Sequence, residues 1–245
     1  MDMHRILDRL RQWWRYPQPT RSQQRLLGLY TDSFDTDFTA RRLASETSAR
    51  FIIDHMRTAQ NFATDYDLHE WAAQQVAPDL QRGGLFLEFG VATGRTLNHW
   101  GRRFPQNIIY GFDSFEGLPE TWSWNFRAGH FYQPLPRVRD NCDLVIGWFD
   151  QTLPGFLAQR PTSPVALLHI DSDLYSSAAY VLETLADRIR AGTIIVFDEY
   201  LNFPGWEQDE HRAWQEFVAR HNVKFEYLAF VSRHQQVAVR VESLG

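Results

Sequence analysis

The stretch LFLEFGVATG at positions 85–94 decides the fold. Leu85 to Phe89 form a short apolar run broken only by Glu88, and it reads as a buried strand. Gly90 and Gly94 then bracket a tight turn. Glycine has no Cβ, so a strand ending in such a turn lets the backbone approach a nucleotide-like ligand closely. A second apolar run, Ile108 to Phe112, ends in Asp113. That carboxylate lies about 20 residues beyond the first turn, the spacing of an acid that binds ribose hydroxyls. Further on, HIDSDLY from position 169 places Asp171 and Asp173 at the end of a later strand.

Outward from this stretch, strand candidates at 85–90, 108–113, 143–148, 165–171 and 193–198 alternate with helices. Such alternation is the signature of an α/β fold with a parallel sheet covered on both faces. One helix is expected after Gly94. Another is expected from Ser176 to Arg190, with Ala179, Leu182, Leu185, Ala186 and Ile189 on one face and Gly192 as its C-cap. Upstream, a helical region between about 41 and 60 offers Leu43, Phe51, Ile52 and Met56 as core positions. Asp67 is expected to cap a helix from Leu68 to Val76, with Glu70 completing the pattern. At the far end, Lys224–Val231 and Gln235–Val241 read as an antiparallel hairpin. The stretch from Gly117 to Asp140 is rich in proline and aromatic residues and fits no element. A loop of that length in a compact domain is often functional, and both a lid and an oligomer contact suit it.

Residues 1–16 carry Ile6, Leu7, Leu10, Trp13 and Trp14 at helical spacing, with arginines among them. They read as a docking or dimer-forming helix, with a helix resting on an anionic membrane surface as the alternative. The organisation expected is a helical extension over 1–60 followed by one domain over 61–245. The chain is long enough for such a core. A net charge of −5 gives no general attraction to nucleic acid. No run of roughly 18 apolar residues is present to span a membrane, and the start lacks a secretory hydrophobic core. One cysteine, Cys142, excludes an internal disulfide framework. A cytoplasmic protein acting on a small molecule is expected.

Five motifs, each at the end of a candidate strand, carry a family resemblance. They are E-x-G-x-x-x-G at 88–94, DSFEGLP at 113–119, GWFDQTLP at 147–154, HIDSDLYSS at 169–177 and GTIIVFDEY at 192–200. With them the chain resembles the class I S-adenosylmethionine-dependent methyltransferases. Among these it is most similar to the macrocin O-methyltransferase family, which methylates sugar hydroxyls of antibiotics. The resemblance covers roughly residues 60–232. It implies a Rossmann-like class I methyltransferase sheet of five parallel strands plus a C-terminal antiparallel hairpin, and it implies S-adenosylmethionine as cofactor.

The residues themselves favour that donor over a dinucleotide. The turn lacks the middle glycine of G-x-G-x-x-G, which a pyrophosphate requires. A sulfonium has no such requirement and favours acidic surroundings. Glu88 is expected near the methionine part and Asp113 at the ribose. Gly90 and Gly94 would shape the turn. The resemblance adds Ser114 beside the ribose and Trp148 or Phe149 along the adenine.

Methyl transfer to a hydroxyl also needs that oxygen's proton removed, and a carboxylate with a pKa of about 3.9 is a poor base for it. A divalent cation lowers the pKa of a bound oxygen, and hard oxygen ligands suit Mg²⁺. Asp171, Asp198 and Glu199 offer those ligands. The resemblance implies the same set, with Asp173 as general base. The family's antibiotic sugar methyltransferases usually have two adjacent aspartates where this chain has Asp198 followed by Glu199, so metal affinity is open. A catechol-type methyltransferase and a non-catalytic S-adenosylmethionine-binding protein remain as alternatives. His169 is expected to pack within the sheet, His211 to be solvated, and Tyr175 either to wall the acceptor site or to be core.

Overall fold

The computed structural model describes residues 35–245. The helix expected over 1–16, and with it the expected self-association, lies outside the described residues. The chain divides into two compact units, Met1–Leu43 and Ala44–Gly245. Of the first, the described part is the opening of helix α1 (Thr36–His55), where the Asp35 carboxylate accepts from the Asp37 amide at 2.9 Å.

In the second unit, α1 ends and is followed by β1 (Gln60–Phe62), α2 (Asp65–Gln75), α3 (Pro78–Gly83) and β2 (Leu85–Phe89). Then come α4 (Arg95–Arg103), β3 (Ile109–Asp113), β4 (Cys142–Ile146), α5 (Phe149–Ala158) and β5 (Val165–Ile170). The chain closes with α6 (Tyr175–Thr184), β6 (Ile194–Phe197), α7 (Glu210–Arg220), β7 (Lys224–Val231) and β8 (Val237–Ser243). The strands form one sheet in the order β1-β7-β8-β6-β5-β2-β3-β4. The pairs β6–β5, β5–β2, β2–β3 and β3–β4 are parallel, whereas β8 is antiparallel to both β6 and β7. The five expected parallel strands and the hairpin are therefore present. The hairpin is inserted so that its second strand lies against β6 and its first lies outside.

Side-chain alternation along the strands separates two apolar layers. Leu87, Phe89, Leu168, Ile170, Ile195 and Phe197 pack against Val181 and Leu182 of α6 and Trp214 and Phe217 of α7. Phe86, Leu167, Ile194 and Val196 face the other way, against Leu68 and Ala72 of α2 and Leu97 and Trp100 of α4. With both faces covered, the central strands β2, β5 and β6 are buried at every position.

Several expectations shift. Helix α2 starts earlier, and its cap is Thr64, whose Oγ1 accepts the Asp67 amide at 3.2 Å and donates to the Asp67 carboxylate at 2.7 Å. Asp67 is thus the partner of the cap, three residues inside. Helix α6 ends at Thr184, and Gly192 lies beyond it in a turn with φ +91°. Helix α1 ends at His55, so Met56 is buried just beyond it, and Leu43 is exposed. Strand β1 went unforeseen because QNF has no apolar alternation; it joins the sheet through backbone pairing with β7.

The first turn is tightly closed. The Gly90 amide donates to the Phe112 carbonyl at 2.9 Å, and the Asp171 amide donates to the Phe89 carbonyl at 2.8 Å. Gly90 has φ +95°, and a Cβ there would collide with the Asp171 carbonyl. Gly90→Ala is expected to destabilise the protein by about 3 kcal/mol, from left-handed strain plus overpacking against backbone. The urea midpoint measures this; a midpoint equal to wild type would refute the packing account.

Candidate active site

The carboxyl ends of β2, β3, β5 and β6 open into one cavity of about 630 Å³. In an open α/β sheet this is where ligands bind. Gly90 and Ala92 form one wall, and Asp113 with Ser114 a second. Trp148, Phe149 and Tyr180 supply apolar surface, and Asp171, Asp173 and Glu199 line the acidic end. Gly117, Leu118 and Phe131, from the long 117–140 loop, complete the enclosure. That loop is anchored at Trp122, whose indole N–H donates to Asp209 at 2.9 Å. Tyr175 lies elsewhere, donating to Glu216 at 2.6 Å under the Arg212 guanidinium.

Asp113 shapes the turn as well as facing the cavity. Its Oδ2 accepts the amides of Val91 and Ala92, both at 2.8 Å, and its Oδ1 accepts that of Phe115 at 2.7 Å. Of roughly four lone-pair positions on a carboxylate, three are thus filled by backbone. Ala92, Phe115 and Asp173 all have positive φ, at 43°, 59° and 61°. Non-glycine residues held in that region mark strain that surrounding bonds must sustain, and all three border the cavity or its loop.

Three expected site residues do not line the cavity. Gly94 starts α4 with φ +75°. Glu88 is fully buried and lies 3.2 Å from His169 Nδ1. Asp198 is buried, its Oδ2 accepting from Gln236 Nε2 at 2.9 Å and its Oδ1 lying 3.6 Å from His169 Nε2. Glu88 thus takes part in a buried link from β2 through His169 to β6. Burial alone would suppress the imidazolium, yet Asp198 and Glu88 lift the His169 pKa to about 10. Burial alone would likewise raise Asp198, but His169 pulls it down to about 2.

The other acids move the opposite way. Burial, then repulsion from Asp198, raises Asp171 and Glu199 well above the usual carboxylate range. Asp173 rises to about 7, through burial and then through Asp198 and Asp209. Asp171, Asp198 and Glu199 each bring one oxygen within 4.8 Å of the others, and Glu199 Oε2 is buried without a partner. Mutually repelling carboxylates with a free oxygen fit a divalent cation, which would relieve that repulsion.

Sequence reasoning missed Glu210. This fully buried carboxylate accepts the Ser172 amide on Oε1 at 3.2 Å and the Glu199 amide on Oε2 at 3.0 Å. It ties together the two loops that carry the acidic residues. An acid at a helix start ordinarily reads as a solvated partner of the helix dipole, so nothing local reveals this role. His211 also departs from expectation. It packs among Phe51, Tyr200 and Trp206, and burial lowers its pKa to about 4.

Residues 87–200, which hold most of these elements, match the family model described as "Methyltransferase domain". The sheet has a Rossmann-like arrangement, as in solved methyltransferase structures. The solved structure of CalS11, a calicheamicin methyltransferase, superposes with a TM-score of 0.58 at 26% identity, over 72% of this chain and 78% of that one. A tetracenomycin-C 4'-O-methyltransferase of Streptomyces olivaceus, acting on a dimethoxy-rhamnosyl form by its name, is 32% identical over 112 residues. That match covers 38% of this chain and 41% of the relative. Demethyldecarbamoylnovobiocin O-methyltransferase of Streptomyces niveus is 35% identical over 128 residues, 43% of this chain and 47% of its own. The chain thus spans less than half the length of these curated relatives.

Glu210→Ala in this domain is expected to cost about 3 kcal/mol, because two amides lose a charged or strongly polar acceptor. Denaturant unfolding checks the value, and a change below about 0.5 kcal/mol would show the bridge to be dispensable.

Proposed function

We propose that this protein is an O-methyltransferase that moves a methyl group from S-adenosylmethionine to a hydroxyl of a sugar or glycosylated small molecule. The observation carrying this reading is the single cavity in which a glycine turn and a ribose-type acid face a cluster of carboxylates. When bound, the donor would supply an electrophilic methyl group, and a divalent ion would make the acceptor hydroxyl more acidic.

The chain's own residues divide the remaining work. The one unfilled acceptor position of Asp113 and the Ser114 hydroxyl address the ribose. Trp148 and Phe149 provide the apolar walls that suit an adenine. Asp171 and Asp173 place negative charge at the end of the cavity, where a sulfonium is favoured. Gly90 gives the donor's backbone contact, while Glu88 and Gly94 act from behind it, one by fixing His169 and the other by starting α4. Asp171, Asp198 and Glu199 would hold the ion, Mg²⁺ being the one that hard oxygen donors favour. Asp173 would accept the hydroxyl proton; its raised pKa makes it a stronger base than an ordinary carboxylate. The domain over residues 61–245 would contain this whole apparatus.

The rhamnosyl group in the name of the Streptomyces olivaceus relative, and the TDP-rhamnose in that of CalS11, support a glycosylated acceptor. The test is methyl transfer measured across rhamnosylated acceptors and catechols, with and without a chelator. Rhamnosylated acceptors should turn over, and chelation should slow them. Turnover of catechols alone would replace the acceptor class, and no turnover of any acceptor despite donor binding would leave a binding protein. Asp173→Asn should lower kcat at least ~100-fold with the donor KM unchanged. An unchanged kcat would remove Asp173 from the chemistry.

A further inference from the structure

Behind the acidic end of the cavity, three residues from three elements converge: His69 from α2, His169 from β5 and Asp198 just after β6. Each brings one ligand-type atom within 4.8 Å of the other two. His69 and His169 are about 1% exposed or less, and Asp198 is 8% exposed. His69 Nε2, His169 Nε2 and Asp198 Oδ1 are all buried without a hydrogen-bond partner. Three unpartnered atoms in one such buried cluster are costly unless something positive joins them. A proton on His169 answers the pair with Asp198 but leaves His69 Nε2 without a partner.

We propose that His69, His169 and Asp198 form a buried binding site for a late first-row divalent ion such as Zn²⁺, distinct from the all-oxygen set at the cavity. Two imidazoles and one carboxylate are the donor set such ions favour over Mg²⁺. The separations agree with it. His169 Nε2 and Asp198 Oδ1 are 3.6 Å apart, too long for a hydrogen bond, whereas two donors on one tetrahedral ion lie roughly 3.3 Å apart. The two imidazole ring centres are 5.2 Å apart, and rings sharing a tetrahedral ion through one nitrogen each come to roughly 5 Å.

The surroundings are those of a prepared site. Glu88 Oε2 lies 3.2 Å from His169 Nδ1 and can keep a proton there, so an ion that displaces the proton of Nε2 would be ligated through that nitrogen. Gln236 holds the other oxygen of Asp198. An ion here would pin α2 to the ends of β5 and β6. It would also share Asp198 with Asp171 and Glu199, so its occupancy bears on the oxygen set. This inference shares Asp198 with the ion set of the proposed function, but its test reads ion binding and not methyl transfer.

The experiment is calorimetric titration of chelator-stripped full-length protein with Zn²⁺, and with Co²⁺ as an optical probe. Wild type should bind one Zn²⁺ that Mg²⁺ in excess does not displace, and Co²⁺ should give the visible absorption of a low-coordinate site. His69→Ala should weaken Zn²⁺ binding at least ~100-fold and abolish the Co²⁺ band, while Asp171→Asn should keep both. Glu88→Gln should weaken binding about 10–100-fold. His69→Gln, read beside thermal unfolding, guards against a folding defect in the alanine variant. Absence of Zn²⁺ binding by the folded wild type, or equal binding by folded His69→Ala or His69→Gln, would overturn the proposal and leave a protonated cluster only. A failed transferase assay would leave these binding results untouched.

Discussion

Charge burial at the strand ends is the constraint on which this architecture depends. Glu88, Asp198, Glu199 and Glu210 are buried there, and Asp171 and Asp173 line the adjoining cavity. Isolated carboxylates in such surroundings would be costly, so each must find a counter-charge, a proton or a donor. Glu88 and Asp198 find His169 between them. Glu210 finds two backbone amides. Glu199 and Asp171 are left with raised pKa values, the residue of a negative charge that the protein alone does not balance. That remainder is what a sulfonium or a divalent cation would complete.

The sheet makes this concentration possible. Parallel strands bring their carboxyl ends to one edge, and β5 and β6 are adjacent, so Asp171 and Asp198 become neighbours although 27 positions separate them in the chain. Gly90 allows β2 and β5 to close against each other at that same edge. Asp113 then fixes the turn by taking amides that would otherwise lack partners. The strain at Ala92, Phe115 and Asp173 is held in place by these bonds.

Much of this could be read in the sequence, for identifiable reasons. The runs at 85–89, 109–113 and 165–170 are apolar throughout or nearly so, and such runs announce buried parallel strands. Asp113, Ser114, Trp148, Phe149, Asp171, Asp173 and Glu199 do line one cavity, because motifs at strand ends are placed by the sheet itself. What stayed hidden depends on distance in the chain. His69 approaches His169 only because α2 packs across the sheet, and Glu210 reaches two loops only after α7 docks. Glu88 has the strand position of a residue at the ligand, and its side chain pairs with His169, a partner that a period-two pattern does not reveal on a sheet buried on both sides.

The central claim is that the cavity above the glycine turn takes an adenosyl sulfur compound. Calorimetric titration with S-adenosylhomocysteine tests it without requiring the acceptor or any metal. The account predicts one binding event per chain, weakened at least ~10-fold by Asp113→Ala in protein that remains folded. No measurable binding, in protein that does bind a nicotinamide dinucleotide, would contradict it.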